Sequence, residues 1–229
     1  MTEGFPCDNG IGHSDGQGEM PIVFFGAGSQ SLVLHELLDS TRYKLCAIFS
    51  DYPDDRTDLA PLIIGTEAIK AWVAGQPNVR CGFAVAMGGG LGVARCEKIA
   101  LLKELGLTPI TLVHHTAYVS LGVRAGDACQ ILAKSFCGVN TRLGAGSILN
   151  SSASVDHECI LEEGVHVAPG SVILGRVRIG RNTFVGANST ILSDLTIAAD
   201  VVLGAGSLVT RDILESGTYI GAPARKVAR

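Results

Sequence analysis

The sequence predicts two domains of different class: an α/β domain with a small parallel sheet, followed by a parallel β-helix. Two observations carry this. From Val119 to Val209 one residue in every six is apolar without a break in phase, and residues 21–113 instead alternate short apolar runs with helical patterns. The hexads begin only halfway along a chain of 229 residues, so the two patterns belong to separate domains.

Residues 1–20 contain no Lys or Arg and include Gly4, Gly10, Gly12, Gly16 and Gly18. They resemble neither a signal nor a transit peptide and are expected to form a disordered leader. The formal net charge is −4. That value favours neither nucleic acid nor an acidic membrane as a partner. The charge is uneven, with 8 Lys and Arg against 13 Asp and Glu up to Tyr118, and 10 against 9 after it. The second half is thus the better place for an anionic cosubstrate. None of the seven cysteines forms a C-x-x-C pair, and Cys129, Cys137 and Cys159 fall on core positions of the hexad. A reducing cytoplasm is the simplest setting, and no apolar run reaches membrane-spanning length.

An α/β domain is expected over 21–116. Ile22 to Phe25 reads as a buried strand, followed by Gly26-Ala27-Gly28 and an apolar-periodic helix over Leu32 to Leu38. Leu45 to Phe49 is a second strand ending at Ser50-Asp51, and Pro61 to Ile64 a third, with a helix from Glu67 to Val73. Phe83 to Met87 is a strand leading through Gly88-Gly89-Gly90 to a helix capped by Gly106, and Thr108 to Val113 is the last strand. This order gives a parallel sheet covered by helices, in which ligands sit at the carboxyl ends of the strands. Gly26, Gly28, Ser29, Gln30, Asp51 and Gly88 fall there. They are the candidate substrate-binding residues, Asp51 as an acceptor from a ribose or base. Ser31 replaces the third glycine of a dinucleotide fingerprint, so full dinucleotide binding is not expected, and a strand-to-helix turn that binds nothing is the alternative.

A β-helix is expected over 117–213, with a tail over 214–229. Sixteen positions stepped by six from Val119 are all apolar, and the position two residues earlier is small in nearly every hexad, Leu195 being the bulky exception. A period of six fits neither a helix nor an ordinary alternating strand. It fits short strands joined by corners, three hexads to a triangular coil. Glycine follows the core position at Gly126, Gly138, Gly144, Gly180, Gly186 and Gly204, where the corner is expected to need φ > 0. A β-sandwich would show variable strand spacing instead.

His157 lies in Asp156-His157-Glu158, where a carboxylate can hold an imidazole in one tautomer, as a general base requires. Gly175 is eighteen residues on, three hexads, so it should stack one strand spacing above His157, about 4.8 Å away. Its bare N–H would suit an oxyanion. His166 is only nine residues from His157, half a coil, and can meet it only across an interface between chains. Arg176, Arg178, Arg181, Arg211, Arg225 and Lys226 would either reach phosphates or solvate the coil exterior.

These residues resemble the hexapeptide-repeat acyltransferases. The resemblance rests on the repeat, Gly26-Ala27-Gly28, Ile110 to His114, Asn150, Asp156 to Cys159, His166 to Gly170 and Gly221 to Arg225. It is to the branch that places a nucleotide-sugar-binding α/β domain before a left-handed β-helix. That branch includes UDP-N-acetylbacillosamine N-acetyltransferases, GDP-perosamine N-acetyltransferases and sialic acid O-acetyltransferases. It implies a cytoplasmic homotrimer with active sites at subunit interfaces, transferring acetyl from acetyl-CoA to the amine of a nucleotide-linked sugar in bacterial glycan biosynthesis, with no metal. By the same resemblance His157 is the base, Glu158 or else Asp156 its orienting carboxylate, and Gly175 the oxyanion donor. Asn150, His166, Gly175, Gly221, Ala222, Pro223 and Arg225 meet acetyl-CoA, His166 from the neighbouring chain. Ser29-Gln30-Ser31 and Gly88-Gly89-Gly90 depart from the branch's usual loops, both in the sugar pocket. Other readings are sugar O-acetylation, a zinc enzyme of the γ-carbonic anhydrase type using His157 and His166, and a non-catalytic β-helical scaffold.

Overall fold

A computed structural model describes residues 19–52, 58–76 and 80–227. All but the last two residues of the expected leader lie outside the described residues. Five parallel strands form the first sheet: β1 (Met20–Phe25), β2 (Tyr43–Ser50), β3 (Leu62–Ile64), β4 (Gly82–Val85) and β5 (Thr108–Pro109). They are arranged in the order β3-β2-β1-β4-β5. Helices α1 (Ser29–Leu38), α2 (Thr66–Ala74) and α3 (Gly92–Glu104) connect them. The central strand β1 is buried on both faces at Ile22, Val23 and Phe24, which explains its unbroken apolar run. Gly106 ends α3 in the left-handed conformation, φ 83°, with Leu107 N–H on Leu102 O and Gly106 N–H on Lys103 O. This is the paired-bond C-cap that favours glycine.

The single strand expected over Thr108 to Val113 is two. Thr108–Pro109 closes the first sheet, whereas Leu112–Val113 pairs with Gln130 and Ile131 as the first rung of the coil. The coil therefore starts before residue 117. Val113 lies one hexad before Val119 and is already in phase.

From there the chain winds as a parallel β-helix of three faces. The first face stacks Leu112–Val113, Gln130–Ile131, Ile148–Leu149, His166–Val167, Phe184–Val185 and Val201–Leu203. The second stacks Tyr118–Val119, Phe136–Cys137, Ser154–Val155, Val172–Ile173, Thr190–Ile191 and Leu208–Val209. The third stacks Arg124–Ala125, Arg142–Leu143, Ile160–Leu161, Arg178–Ile179 and Thr196–Ile197. The six-step apolar residues meet inside the prism. The small position two residues earlier is explained by hydrogen bonds as well as space. Thr141, Ser171, Thr183 and Ser189 each donate a hydroxyl to a carbonyl fifteen residues on, at 2.7, 2.8, 3.0 and 2.9 Å. Cys129 and Cys159 make the same contact through sulfur, both at 3.2 Å. A hydroxyl can thus be buried in an apolar core because the next coil satisfies it.

The glycines that follow the core position do not serve a positive φ. The left-handed residue stands two places further on, in a series running Ala128, Lys134, Asn140, Gly146, Ser152, Glu158, Gly164 and onward to Gly206, mostly not glycine. Glycine is needed instead for close approach. A Cβ on Gly126, Gly138, Gly144 or Gly180 would lie 2.4–2.6 Å from the backbone of the next coil.

The α/β domain covers the first face of the prism. Leu112, Gln130, Ile148 and His166 point outward from that face and are at most 3% exposed. Leu112 and Ile148 pack with Ile22, Phe24, Leu34 and Leu37. The described residues of this domain leave the second and third faces uncovered, and Tyr118 is 63% exposed.

Candidate active site

His157 sits on the corner between the second and third faces, the edge of the prism opposite the covered face. Its Nδ1 lies 3.0 Å from Glu158 Oε2. A carboxylate accepts only, so Nδ1 carries the hydrogen and Nε2 is left with its lone pair. Asp156 does a different job: its Oδ1 accepts the His157 backbone N–H at 2.7 Å and shapes the turn. Glu158 occupies the left-handed turn position, φ 57°. Arg176, one coil on, could compete for Glu158 but is tied to Asp194 by two bonds of 2.5 and 2.8 Å. The imidazole keeps its carboxylate.

Gly175 meets the ring from the next coil. A Cβ there would lie 2.5 Å from His157 Nε2 and 2.6 Å from Cε1, so any side chain would displace the imidazole. Its φ is not left-handed, and the demand for glycine is purely spatial. Among the described residues the Gly175 N–H has no backbone acceptor. A half-exposed ring with a free nitrogen beside a bare glycine can accept a proton from a bound nucleophile.

Asn150 and His166 form a second group, away from His157, at the junction of the two domains. Asn150 Nδ2 is 3.2 Å from His166 Nε2, and His166 Nδ1 is 3.1 Å from Gly89 O. Gly89 O can only accept, so Nδ1 carries a hydrogen; Asn150 Oδ1 accepts the Ser151 N–H at 2.7 Å, which turns Nδ2 to donate to His166 Nε2 and leaves the ring neutral. Burial holds its pKa down to about 4, with the nearby Arg95 cation acting in the same direction. Within this chain neither nitrogen is free to bind a metal or move a proton. Among the described residues no group of three or more His, Cys, Asp or Glu is arranged to hold a metal ion.

The expected substrate residues gather at the carboxyl ends of β1, β2 and β4. Gly26 has φ 112°, and a Cβ on it would lie 2.6 Å from Ala86 O. Gly28 opens α1 with free space beside it, no side-chain cap and no acidic residue in the first turn. Ser31, in place of a third glycine, is fully buried and donates its hydroxyl to Gly28 O at 2.7 Å. Gln30 donates to Gln130 Oε1 at 2.7 Å, and Gly88 faces Gln30 Oε1 and the His166 ring. Asp51 pairs with Lys98 at 2.6 Å, and the Lys98 ammonium also stands 4.7 Å over the Phe25 ring.

At the other end, Gly221 O accepts from Leu208 N–H and Ala224 N–H donates to Leu208 O, which ties the tail to the last coil. The Ala222–Pro223 bond is cis. Ala224 and Arg225 line a groove of about 330 Å³ with Arg211, Asp212, Tyr219 and Lys226. Of the cations singled out in the sequence, Arg176 is held by Asp194 and Lys226 by Glu215.

Three residues escaped the sequence reading: Arg95, Gln130 and Lys98. Arg95 and Lys98 look like ordinary charges on a helix. For Gln130 a signal existed, because it lies eighteen residues from Leu112 and from Ile148 in an outward row that reads mostly apolar. That is the mark of a covered face.

Residues 176–211 match the family model described as bacterial transferase hexapeptide (six repeats). Over those residues the repeat is similar to that of the hexapeptide transferases, and an α/β domain followed by a left-handed parallel β-helix is the fold the chain shares with two solved acetyltransferases. In particular the chain is similar to perosamine N-acetyltransferase from Caulobacter crescentus, solved with CoA and GDP-perosamine. The two share 27% identity and superpose with a TM-score of 0.84 over 91% of this chain and 97% of that one. It is also similar to the acetyltransferase domain of PglB from Neisseria gonorrhoeae FA1090, solved with acetyl coenzyme A. There the identity is 26% and the TM-score 0.82, over 92% of this chain and 100% of that one.

Proposed function

We propose that this protein transfers acetyl from acetyl-CoA to the amino group of a nucleotide-linked amino sugar, in bacterial glycan biosynthesis. The observation that carries this reading is the contact of Gly175 with the His157 ring, whose Nδ1 is committed to Glu158. The neutral amine attacks the thioester carbonyl while His157 Nε2 takes its proton. The Gly175 N–H bonds the developing oxyanion. Collapse breaks the C–S bond, and the proton passes to the departing thiolate, giving the amide and CoA. The known partners of similar proteins support both substrates: the first relative was solved with CoA and GDP-perosamine, the second with acetyl coenzyme A.

The reading requires a second copy of the chain. The sugar pocket lies with the domain on the first face, whereas His157 stands on the opposite edge, so the prism separates them in one molecule. A homotrimer joins the pocket of one copy to the His157 of the next. The outward row of the second face, with Tyr118, Phe136, Val172 and Leu208, supports that packing. The Gly221 to Arg225 segment and its groove take the adenine end of CoA. We place the reaction in the cytoplasm, in keeping with six free thiols among the described residues; no described helix is long and apolar enough to cross a membrane.

The test is CoA release from acetyl-CoA with a panel of UDP-, GDP- and dTDP-linked amino sugars, beside the matching hydroxy sugars. Turnover confined to the amino sugars is expected. Turnover of the hydroxy sugars alone would replace the reading with O-acetylation, and turnover of neither would overturn it.

A further inference from the structure

Arg95 is the largest fully buried side chain in the described structure, with no exposed surface. Among the described residues no carboxylate pairs with it, and burial draws its pKa down to about 10. A buried cation without a counter-ion is costly unless every donor is satisfied. Here each of its three nitrogens meets a carbonyl from a separate segment: Nε donates to Gly146 O at 2.6 Å, Nη1 to Met87 O at 2.8 Å and Nη2 to Gly164 O at 2.7 Å. Gly146 and Gly164 are the same left-handed corner position in successive coils, eighteen residues apart. Met87 is the last residue before the Gly88 to Gly90 loop. Gly92, at the start of α3, is pressed onto the same corner, where a Cβ would lie 2.6 Å from Gly164 O and 2.9 Å from Asn182 Cα. Two residues beyond Gly164, His166 holds Gly89 O. The loop is therefore gripped at Met87 by Arg95 and at Gly89 by His166, both referred to one rung of the coil.

We propose that Arg95 is a positioning residue, a clamp that fixes the height of the Gly88 to Gly90 loop on the coil and so sets where the sugar pocket stands relative to the acetyl-transfer site. The purpose of the clamp rests on the function proposed above; its existence does not. A rigid planar fork with five donors can hold three carbonyls at once, whereas a lysine ammonium is a point charge that can keep the position but not the span. Arg95→Lys therefore retains the cation and loses the register.

In the intact protein, nitrogen NMR should show a slowly exchanging, rotationally restricted Arg95 guanidinium and a single neutral His166 tautomer protonated at Nδ1. In Arg95→Lys, with secondary structure preserved by circular dichroism, the His166 signals should move to a mixture of tautomers. The KM for the amino-sugar substrate should rise at least five-fold while that for acetyl-CoA stays within two-fold. A freely rotating, rapidly exchanging guanidinium in the wild type overturns the proposal even where the variant fails to fold. So does an Arg95→Lys protein with an unchanged His166 ring, or with both KM values unchanged or raised in parallel. The NMR measurements need no substrate. Absence of wild-type turnover would therefore sink the functional reading and leave the clamp to be judged on the ring and guanidinium signals.

Discussion

In the proposed reaction His157 and its neighbours divide one task, and their contributions can be separated by substitution. Replacing His157 by Ala removes the proton acceptor and should lower kcat by about 10²–10⁴-fold, the usual worth of a positioned general base. Glu158→Gln keeps an oxygen to accept from Nδ1 but loses the charge, and should cost about ten-fold, on the order of 1.4 kcal/mol. Gly175→Ala should fold yet lose most activity, because its methyl would occupy the space 2.5 Å from Nε2. Steady-state rates beside thermal denaturation would check all three; a His157→Ala enzyme at wild-type rate would exclude this chemistry. His166 should show itself in stability instead. Its folded pKa, about 4, lies below the ordinary value of 6.5, so the unfolded chain binds the proton more readily. The stabilisation from its neutral form is complete above pH 6.5, is lost progressively as the pH falls to about 4, and changes no further below that. The loss amounts to roughly 3 kcal/mol across the window. Urea midpoints at pH 7.5 and 4.5 should fall steeply in the wild type and less steeply in His166→Gln.

The hexad, as an element, uses glycine and the left-handed residue for different ends. Gly138 sits where the next coil comes closest, and a Cβ there would lie 2.6 Å from the Asp156 carbonyl carbon. Gly138→Ala should therefore cost about 1–3 kcal/mol, the usual penalty of overpacking. Lys134 instead bears φ 56°, a conformation that disfavours a side chain by about 1–2 kcal/mol. Lys134→Gly should accordingly be neutral or slightly stabilising, the relieved strain offsetting the greater freedom of an unfolded glycine. Equilibrium denaturation of the two variants is the check. Equal losses would mean that a single demand governs both positions.

In the proposed function the whole molecule holds the pocket of the first domain and His157 on opposite sides of the prism, and assembly has to join them. Sedimentation equilibrium should give a mass three times the 23.8 kDa of the chain. Complementation is the sharper test. Gly28→Asp places a negative charge at the uncapped start of α1, where nothing lies within 4 Å of the new Cβ, so the fold should survive while an anionic substrate is repelled. Neither Gly28→Asp nor His157→Ala should be active alone. Co-expressed, they should regain a fraction of wild-type activity, since mixed assemblies pair an intact pocket with an intact imidazole. No recovery in purified mixed assemblies would place pocket and base within one chain.

The period of six is dictated locally. Each hexad must turn an apolar residue inward to a prism whose rungs repeat every eighteen residues, so the coil and the stacking of Gly175 on His157 are both legible as spacing. Glu158 beside His157 is legible for the same reason, as a neighbour in one turn. The strand-to-helix order fixes the first sheet equally well, apart from Thr108 to Val113, an apolar run that two sheets share and that its own composition could not divide. Tertiary structure alone decides which face of the prism the first domain covers, and with it that His166 grips Gly89 O. It alone brings Arg95 onto carbonyls 51 and 69 residues away. Contacts of that kind join distant segments through backbone oxygens, which every residue carries, so no side-chain pattern announces them.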